Sequence, residues 1–412
     1  MPRNGPATAA PVSIESHRAR VFELVGDLPV VELPVADCLG LVLAADLVST
    51  IPLPPFDNSA MDGYAVRARD VAAATEQQPV ELPVPEDIPA GRTDVVALEP
   101  GTAHRIMTGA AMPPGADSIV QVELTDAGVQ RVRVYASVRP GSHLRHAGED
   151  VRVGDTVLAA GTELGPMQLG VASAVGAATL PVRRRPRVLV VSTGSELVEP
   201  GTPLLAGQIY ESNGVLLASA VRAIGGVAEQ LRFVPDDVAA FHAALADRIG
   251  SADLVVTSGG VSAGAYEVVK DALAGQGVEF TKVAMQPGGP QGAGRYQGVP
   301  VVTLPGNPVS AAISFEIFVR PALRRAIGHT VIDRPMSTAK LATSVTAPAG
   351  RRQYRRGHHD PVTGLVAPVG GPGSHLLAAL AAADCLFVVP EEVTELAEGT
   401  DVQVISLETL IG

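Results

Sequence analysis

Apolar positions fall in short runs divided by glycine and proline, and the character of the runs changes along the chain. Between Val188 and Gly328, strand-length apolar runs recur at Val188–Val191, Leu231–Val234, Leu254–Val256, Phe280–Val283 and Val299–Leu304. They alternate with segments of helical spacing at Gly214–Ile224, Asp237–Ile249, Ala265–Leu273 and Pro308–Ile327. This alternation predicts a central parallel sheet covered by helices on both faces. Ser212 or Asn213 and Asp236 are the expected helix caps. Upstream, Ser13–Val25 and the stretch from Pro166 onward have helical spacing, whereas Val80–Val138 alternates like a small all-β insert. After Gly328 the runs are short and β-like: Lys340–Thr346, Gly364–Pro368, Cys385–Pro390 and Val402–Ser406. The expected fold is α/β multidomain. Residues 12–55 and 140–182 would form an N-terminal helical, elongated linker region, and 56–139 a β-rich insert domain. Residues 183–330 would form the α/β domain and 335–412 a C-terminal β-barrel-like domain. The basic segment Arg183–Arg187 reads as a solvated linker.

Three of the apolar runs close in polar glycine turns. They are Ser192-Thr193-Gly194-Ser195-Glu196, Ser258-Gly259-Gly260 with Ser262 beyond it, and Pro305-Gly306-Asn307-Pro308-Val309-Ser310. In a parallel sheet such turns share the carboxyl edge, where backbone N–H groups and helix N-termini face anions. One Gly-Gly turn is a weak signal, since many exist for steric reasons alone. Three coincident turns argue for a site. Thr108-Gly109 is a further phosphate-type turn. Asp57–Ala65, DNSAMDGYA, admits two readings: an Asx turn bonded to its own backbone, or a loop presenting Asp57 and Asp62 to a cation or substrate. His143 and His146 are spaced like metal ligands but lack neighbouring ligands.

Composition narrows the partners. The 412 residues carry a formal charge of −12, 3% aromatics and no tryptophan. Neither a nucleic-acid surface nor an anionic membrane suits that balance, and base-stacking platforms are scarce. The 43 glycines and 34 prolines fit many short strands and turns. Cys38 and Cys385, both in apolar surroundings, read as small buried hydrophobes rather than a disulfide framework. The start of the chain lacks a signal-peptide core and no apolar run is long enough to span a bilayer, so the expectation is a cytoplasmic protein.

The motifs DNSAMDGYAVR (57–67), RIMTGA (105–110), GED (148–150), STGSEL (192–197), GQIYESN (207–213), TSGGVSAG (257–264) and LPGNPVSA (304–311) follow one another in order. Together they resemble the molybdopterin molybdotransferases, or molybdenum insertases, the family that includes the C-terminal enzyme domain of gephyrin. The resemblance implies binding of adenylylated molybdopterin, hydrolysis of its pyrophosphate link, and delivery of molybdate to the dithiolene, with AMP released and Mg²⁺ assisting. It implies a homodimer whose cleft lies between protomers. It also implies roles, residue by residue. Asp62, Asp150, Asp236 and Glu196 would be catalytic, and Glu196, Asp236 and Glu267 would meet the metal. Substrate would be bound by Thr108, Ser258, Gly259, Gly260, Ser262, Pro305, Gly306, Asn307, Pro308, Ser310, Lys282, Arg351 and Ser374. The chain departs from the family at Gln286-Pro287-Gly288-Gly289, where two lysines are usual, at Ser195, where Asp is common, and at Ala265 and Glu267. Molybdate would then depend more on Lys282, Arg351 and helix dipoles. Two rivals stand beside this reading: a gephyrin-like dimeric scaffold for a protein partner, and another hydrolase on the same α/β domain.

Overall fold

A computed structural model describes residues 10–234, 237–261 and 267–407. At its centre a six-stranded sheet runs in the order Val227–Val234, Arg187–Thr193, Leu254–Ser258, Val299–Leu304, Pro290–Tyr296, Val278–Lys282. The first four strands are parallel, as the apolar runs indicate, and Pro290–Tyr296 runs antiparallel to both its neighbours. That strand was not anticipated, because PQGAGRY lacks the β-branched residues that mark strands. Its glycines have a steric reason: a Cβ on Gly294 would overlap the Gly277 carbonyl, and one on Gly292 the Thr303 hydroxyl.

Alternate residues of each parallel strand enter two separate cores. Val188, Val190, Leu254, Val256, Val302 and Leu304 pack against the helix Asn213–Ala223 and the helical run from Pro308 to Ile327. Leu189, Val191, Val255 and Val301 pack against Phe241, Leu245, Val269 and Leu273 on the other face. The run from 308 to 327 is a single path with a π-helical turn at Phe315–Val319. The first helix, Ile14–Leu24, is capped by Ser13, whose hydroxyl accepts the Ser16 N–H. It sends Ile14 and Val21 into the first of these cores. The helix after Val227–Val234 is Val238–Ala246, and Asp237 caps it through the Ala240 N–H. The expected cap, Asp236, lies outside the described residues.

Around this sheet sit three other groups of strands. In the N-terminal region Val30–Pro34 pairs with Thr179–Arg183 and Leu47–Val48 with Thr156–Leu158, beside the helix Pro166–Ala174. A four-stranded sheet, Glu86–Ile88, His104–Ile106, Gly63–Val66, Ser118–Gln121, forms the β-rich insert. At the C-terminus Arg352–Asp360, Leu365–Pro368, Met336–Leu341, Asp401–Ser406 and Cys385–Val389 close on themselves as a five-stranded barrel. Cys38 and Cys385 are free and buried, and burial pushes the Cys385 thiol up to about 12. No helix among the described residues is long and apolar enough to cross a membrane.

The arginine segment is not a solvated linker. Arg183 donates to the Leu28 carbonyl and Arg185 to those of Gly225 and Leu39, while Arg184 forks onto both Asp253 oxygens at 2.5 Å. A planar guanidinium with five donors suits this cross-linking, and here it fastens the N-terminal region to the sheet.

Candidate active site

The strand register levels the three glycine turns. Ser192 stands beside Ser258, and Ser258 beside Leu304, so the turns leave one edge of the sheet together. Gly259 and Gly260 adopt φ of +97° and +64°, a region that favours glycine. A Cβ on Gly260 would lie 2.9 Å from the Val269 nitrogen. One on Gly306 would lie 3.3 Å from the Gly259 Cα, so the second and third turns nearly touch. Asn213, the first residue of its helix, ties them: its Nδ2 donates to the Ser258 hydroxyl at 2.7 Å and the Gly306 carbonyl at 2.6 Å. Glu211 holds the start of that helix by accepting the Gly214 N–H and the Ser192 hydroxyl. Neither Ser212 nor Asn213 makes the capping bond expected of it.

From the barrel side, the loop before Leu377–Ala381 closes on the third turn. Asn307 Nδ2 donates to the Ser374 hydroxyl at 2.8 Å, and the Val309 N–H to the Ser374 carbonyl at 3.1 Å. Arg356 holds that loop from beneath: it is buried and donates to the carbonyls of Gly371, Gly373 and Val369. Burial pushes its guanidinium pKa down.

The result is a cleft of about 1070 Å³, room for a ligand larger than most single metabolites. Ser258, Gly259, Gly260, Pro305, Gly306, Asn307, Pro308, Ser310 and Ser374 all line it, with Glu196 and Glu267. Ser262 and Asp236 lie outside the described residues. Lys282 and Arg351 are exposed and do not line the cleft, which contains no Lys or Arg among its described lining residues. Its lining carboxylates are Glu196, Glu211 and Glu267, and its imidazole is His375. Within this lining an anion would have to be met by backbone N–H groups and helix ends. Among the described residues no three His, Cys, Asp or Glu stand close enough to hold a metal ion by themselves.

Asp62, Thr108 and Asp150 form a second locus in the N-terminal half. Asp62 Oδ1 accepts both the Thr108 N–H and its hydroxyl at 2.7 Å. These bonds, the backbone one foremost, hold the exposed Asp62 carboxyl below the usual range. The segment leading to Asp150 is brought alongside by the pairing of Leu144-Arg145 with Ser59-Asn58 and by the Ala147 N–H, which Asp57 accepts. Asp57 and Asp62 are both exposed, and each ties the loop to a distant segment, Asp57 through Ala147 and Asp62 through Thr108. None of the three acids or Thr108 lines the cleft of its own chain.

Sequence reasoning gave no site role to Glu211, to Asn213, which it offered only as a helix cap, or to Arg356. The first two were visible in the GQIYESN motif. Arg356 lies five residues beyond Arg351, the arginine that the resemblance named instead.

Parallel strands ending in glycine turns, helix N-termini at the same edge and a barrel loop closing the mouth define an α/β protein with a cleft at the carboxyl edge of its sheet. Comparison with known proteins names the family. Residues 12–176 match the MoeA N-terminal region (domain I and II), 189–325 a probable molybdopterin binding domain, and 338–407 the MoeA C-terminal region (domain IV). The chain is 54% identical over 399 residues to molybdopterin molybdenumtransferase 2 of Mycobacterium tuberculosis, covering 95% of this chain and 98% of that one. It is 34% identical to the Haemophilus influenzae molybdopterin molybdenumtransferase, with 92% and 94% covered. A solved molybdopterin biosynthesis MoeA protein from Pyrococcus horikoshii superposes with a TM-score of 0.82 at 33% identity, covering 97% and 100%. The chain belongs to the molybdopterin molybdenumtransferase (MoeA) family.

Proposed function

We propose that this protein inserts molybdate into adenylylated molybdopterin, releasing AMP and yielding molybdenum cofactor. The observation that carries the reading is the joining of three backbone turns by Asn213 into one cleft, in a chain of this family. Water cleaves the pyrophosphate link, AMP leaves, and the pterin phosphate stays on the Ser258–Gly260 and Pro305–Ser310 turns, whose N–H groups suit phosphate oxygens. Ser374, held by Asn307, and Thr108 would contact the anions; Lys282 and Arg351 would lend charge from the rim.

Glu196 and Glu267 offer hard oxygen ligands and leave other positions for water and phosphate, which fits Mg²⁺. Asp236 is the third member proposed for this set. The ion would neutralise phosphate charge and polarise the scissile bond. Asp62, with Asp150, would act on the molybdate from a second protomer of a homodimer. That assembly is supported by the position of Asp62 and Thr108 outside the cleft of their own chain and by Ile209 and Tyr210, apolar side chains that line the cleft and are exposed. The units 12–55 with 140–182, 56–139, 183–330 and 335–412 are the proposed domains, supported by the strand groups described above. Cytoplasmic operation fits the free, buried thiols.

The test is AMP release from adenylylated molybdopterin on addition of molybdate and Mg²⁺. Folded protein that releases no AMP would overturn the reading and leave the scaffold role.

A further inference from the structure

The described lining of the cleft holds three carboxylates and no Lys or Arg, an unfavourable balance for a site that takes anions. Backbone N–H groups and helix ends supply only partial charges. Within that lining, the side chain able to carry a full positive charge near neutral pH is His375. Its ring is exposed and has no hydrogen-bond or ion-pair partner among the described residues, so its N–H groups are open to a ligand. The backbone beneath it, by contrast, is fixed. The His375 carbonyl accepts the Leu377 N–H at 2.9 Å, and the Ser374 carbonyl accepts the Val309 N–H at 3.1 Å. Arg356 draws the carbonyls of Val369, Gly371 and Gly373 onto its guanidinium. The ring lies against Gly373, where an added Cβ would come within 3.0 Å of His375 Cε1.

The preceding residue supplies a second donor. Ser374 Oγ accepts from Asn307 Nδ2 at 2.8 Å, which leaves its own O–H to donate. A hydroxyl and a chargeable ring on consecutive residues of a fixed loop suit a ligand with several oxygens and a full negative charge. We propose that the His375 ring, together with the Ser374 hydroxyl, receives a tetrahedral oxyanion, and that His375 supplies the cationic contact that the rest of the lining lacks. Two such anions enter the proposed reaction: molybdate, and the phosphates joining pterin to nucleotide. The inference rests on the molybdopterin reading given above and deepens it by assigning the charge that holds the anion to one residue.

The experiment follows AMP release in the full chain, varying molybdate and adenylylated molybdopterin in turn, for wild type, His375→Gln and His375→Arg. Glutamine keeps a donor but cannot be charged, whereas arginine is always charged. His375→Gln should raise the KM for one of the two anions about fivefold with kcat within about twofold, and added salt should narrow the gap from wild type. His375→Arg should return that KM to within about twofold of wild type. A raised KM for molybdate assigns the ring to the metal oxyanion, and one for adenylylated molybdopterin assigns it to the phosphates. Thermal midpoints should change little, because the ring is exposed. Unaltered KM values in His375→Gln, a fall in kcat alone, or a His375→Arg no better than His375→Gln would overturn the inference. Wild-type release with any of these results sinks only the role of His375. Absent release from the wild-type protein sinks the molybdopterin reading and this inference with it.

Discussion

The two loci that bear the candidate chemistry are built in opposite ways. The cleft at the sheet edge is made from backbone: glycine turns in register, a helix start on Asn213, and a barrel loop held by Arg356. The Asp62 locus is made from side chains on an exposed loop, with two bonds from Thr108 fixing one carboxylate. A backbone site can grip many anions of similar shape and is hard to destroy by one substitution. A single presented carboxylate is easy to destroy, and acts only where another surface meets it. On the proposed function, the sheet edge would grip the substrate and hold the metal, and the Asp62 loop would act on the molybdate.

The largest expected effect tests that division. Asp62→Asn should lower molybdate-dependent AMP release by about 100-fold or more while leaving thermal stability and AMP binding unchanged. The exposed carboxylate contributes little to the fold. Mixing this variant with Asn307→Ala, itself impaired at the cleft, should restore about a quarter of wild-type release if each site draws on two protomers. Failure of the mixture to regain activity, with heterodimers present, would place both loci in one chain and break the comparison.

Next comes the loop that closes the cleft. Arg356→Gln removes donors to the carbonyls of Gly371, Gly373 and Val369, so Ser374 loses its fixed place. AMP release should fall about tenfold, and stability by about 1–3 kcal/mol, because three carbonyls lose the buried guanidinium that bonds them. The neighbouring Arg351→Gln, exposed and outside the cleft, should change stability by less than about 0.5 kcal/mol.

A smaller change should act in the favourable direction. The cleft has no Lys or Arg among its described lining residues, and Gln286 lines it, its side-chain oxygen accepting from Gln353 Nε2 at 3.3 Å. Gln286→Lys should lower the KM for molybdate about fivefold, an effect that shrinks with added salt. Gly289→Lys should act likewise: a Cβ there lies 3.5 Å from the nearest carbonyl oxygen, an ordinary contact. Gly288 is closed to the same experiment by its φ of +103° and by Ser314 Oγ 2.7 Å from the added atom. Unaltered kinetics in both lysine variants would mean that helix ends and backbone alone set the anion affinity.

The sheet and its turns were legible because continuous apolar runs and Gly-Pro punctuation are local signals, set by burial on both faces and by backbone freedom. Pro290–Tyr296 was not, since its glycines answer to Gly277 and Thr303 on neighbouring strands, information absent from its own seven residues. The same limit explains Arg356, buried five residues beyond an exposed Arg351, and the arginine segment, whose partners Leu28, Leu39, Gly225 and Asp253 are far away in sequence. Asp62 entered through a motif resemblance; nothing in its spacing distinguishes it from Asp57, which accepts the Ala147 N–H.

The smallest effect concerns the joint between the two regions. Asp253, at the start of the strand Leu254–Ser258, accepts both Arg184 nitrogens at 2.5 Å and the Arg187 N–H at 2.8 Å. Burial pushes its carboxyl up, but these bonds outweigh burial and leave it lowered, while the Asp253 bonds raise Arg184. A carboxyl lowered in the folded state contributes stability that is present above its unfolded value near 4 and lost as pH falls through the folded one. Asp253→Asn should therefore cost about 1–3 kcal/mol at pH 7, and the gap from wild type should narrow as the pH drops below about 4. Thermal melts across that range measure it. AMP release at pH 7 should fall no more than about twofold, because the joint carries neither turn nor carboxylate of the site. A larger loss would mean that the angle between the N-terminal region and the sheet, fixed by these arginines, controls how Asp62 is delivered.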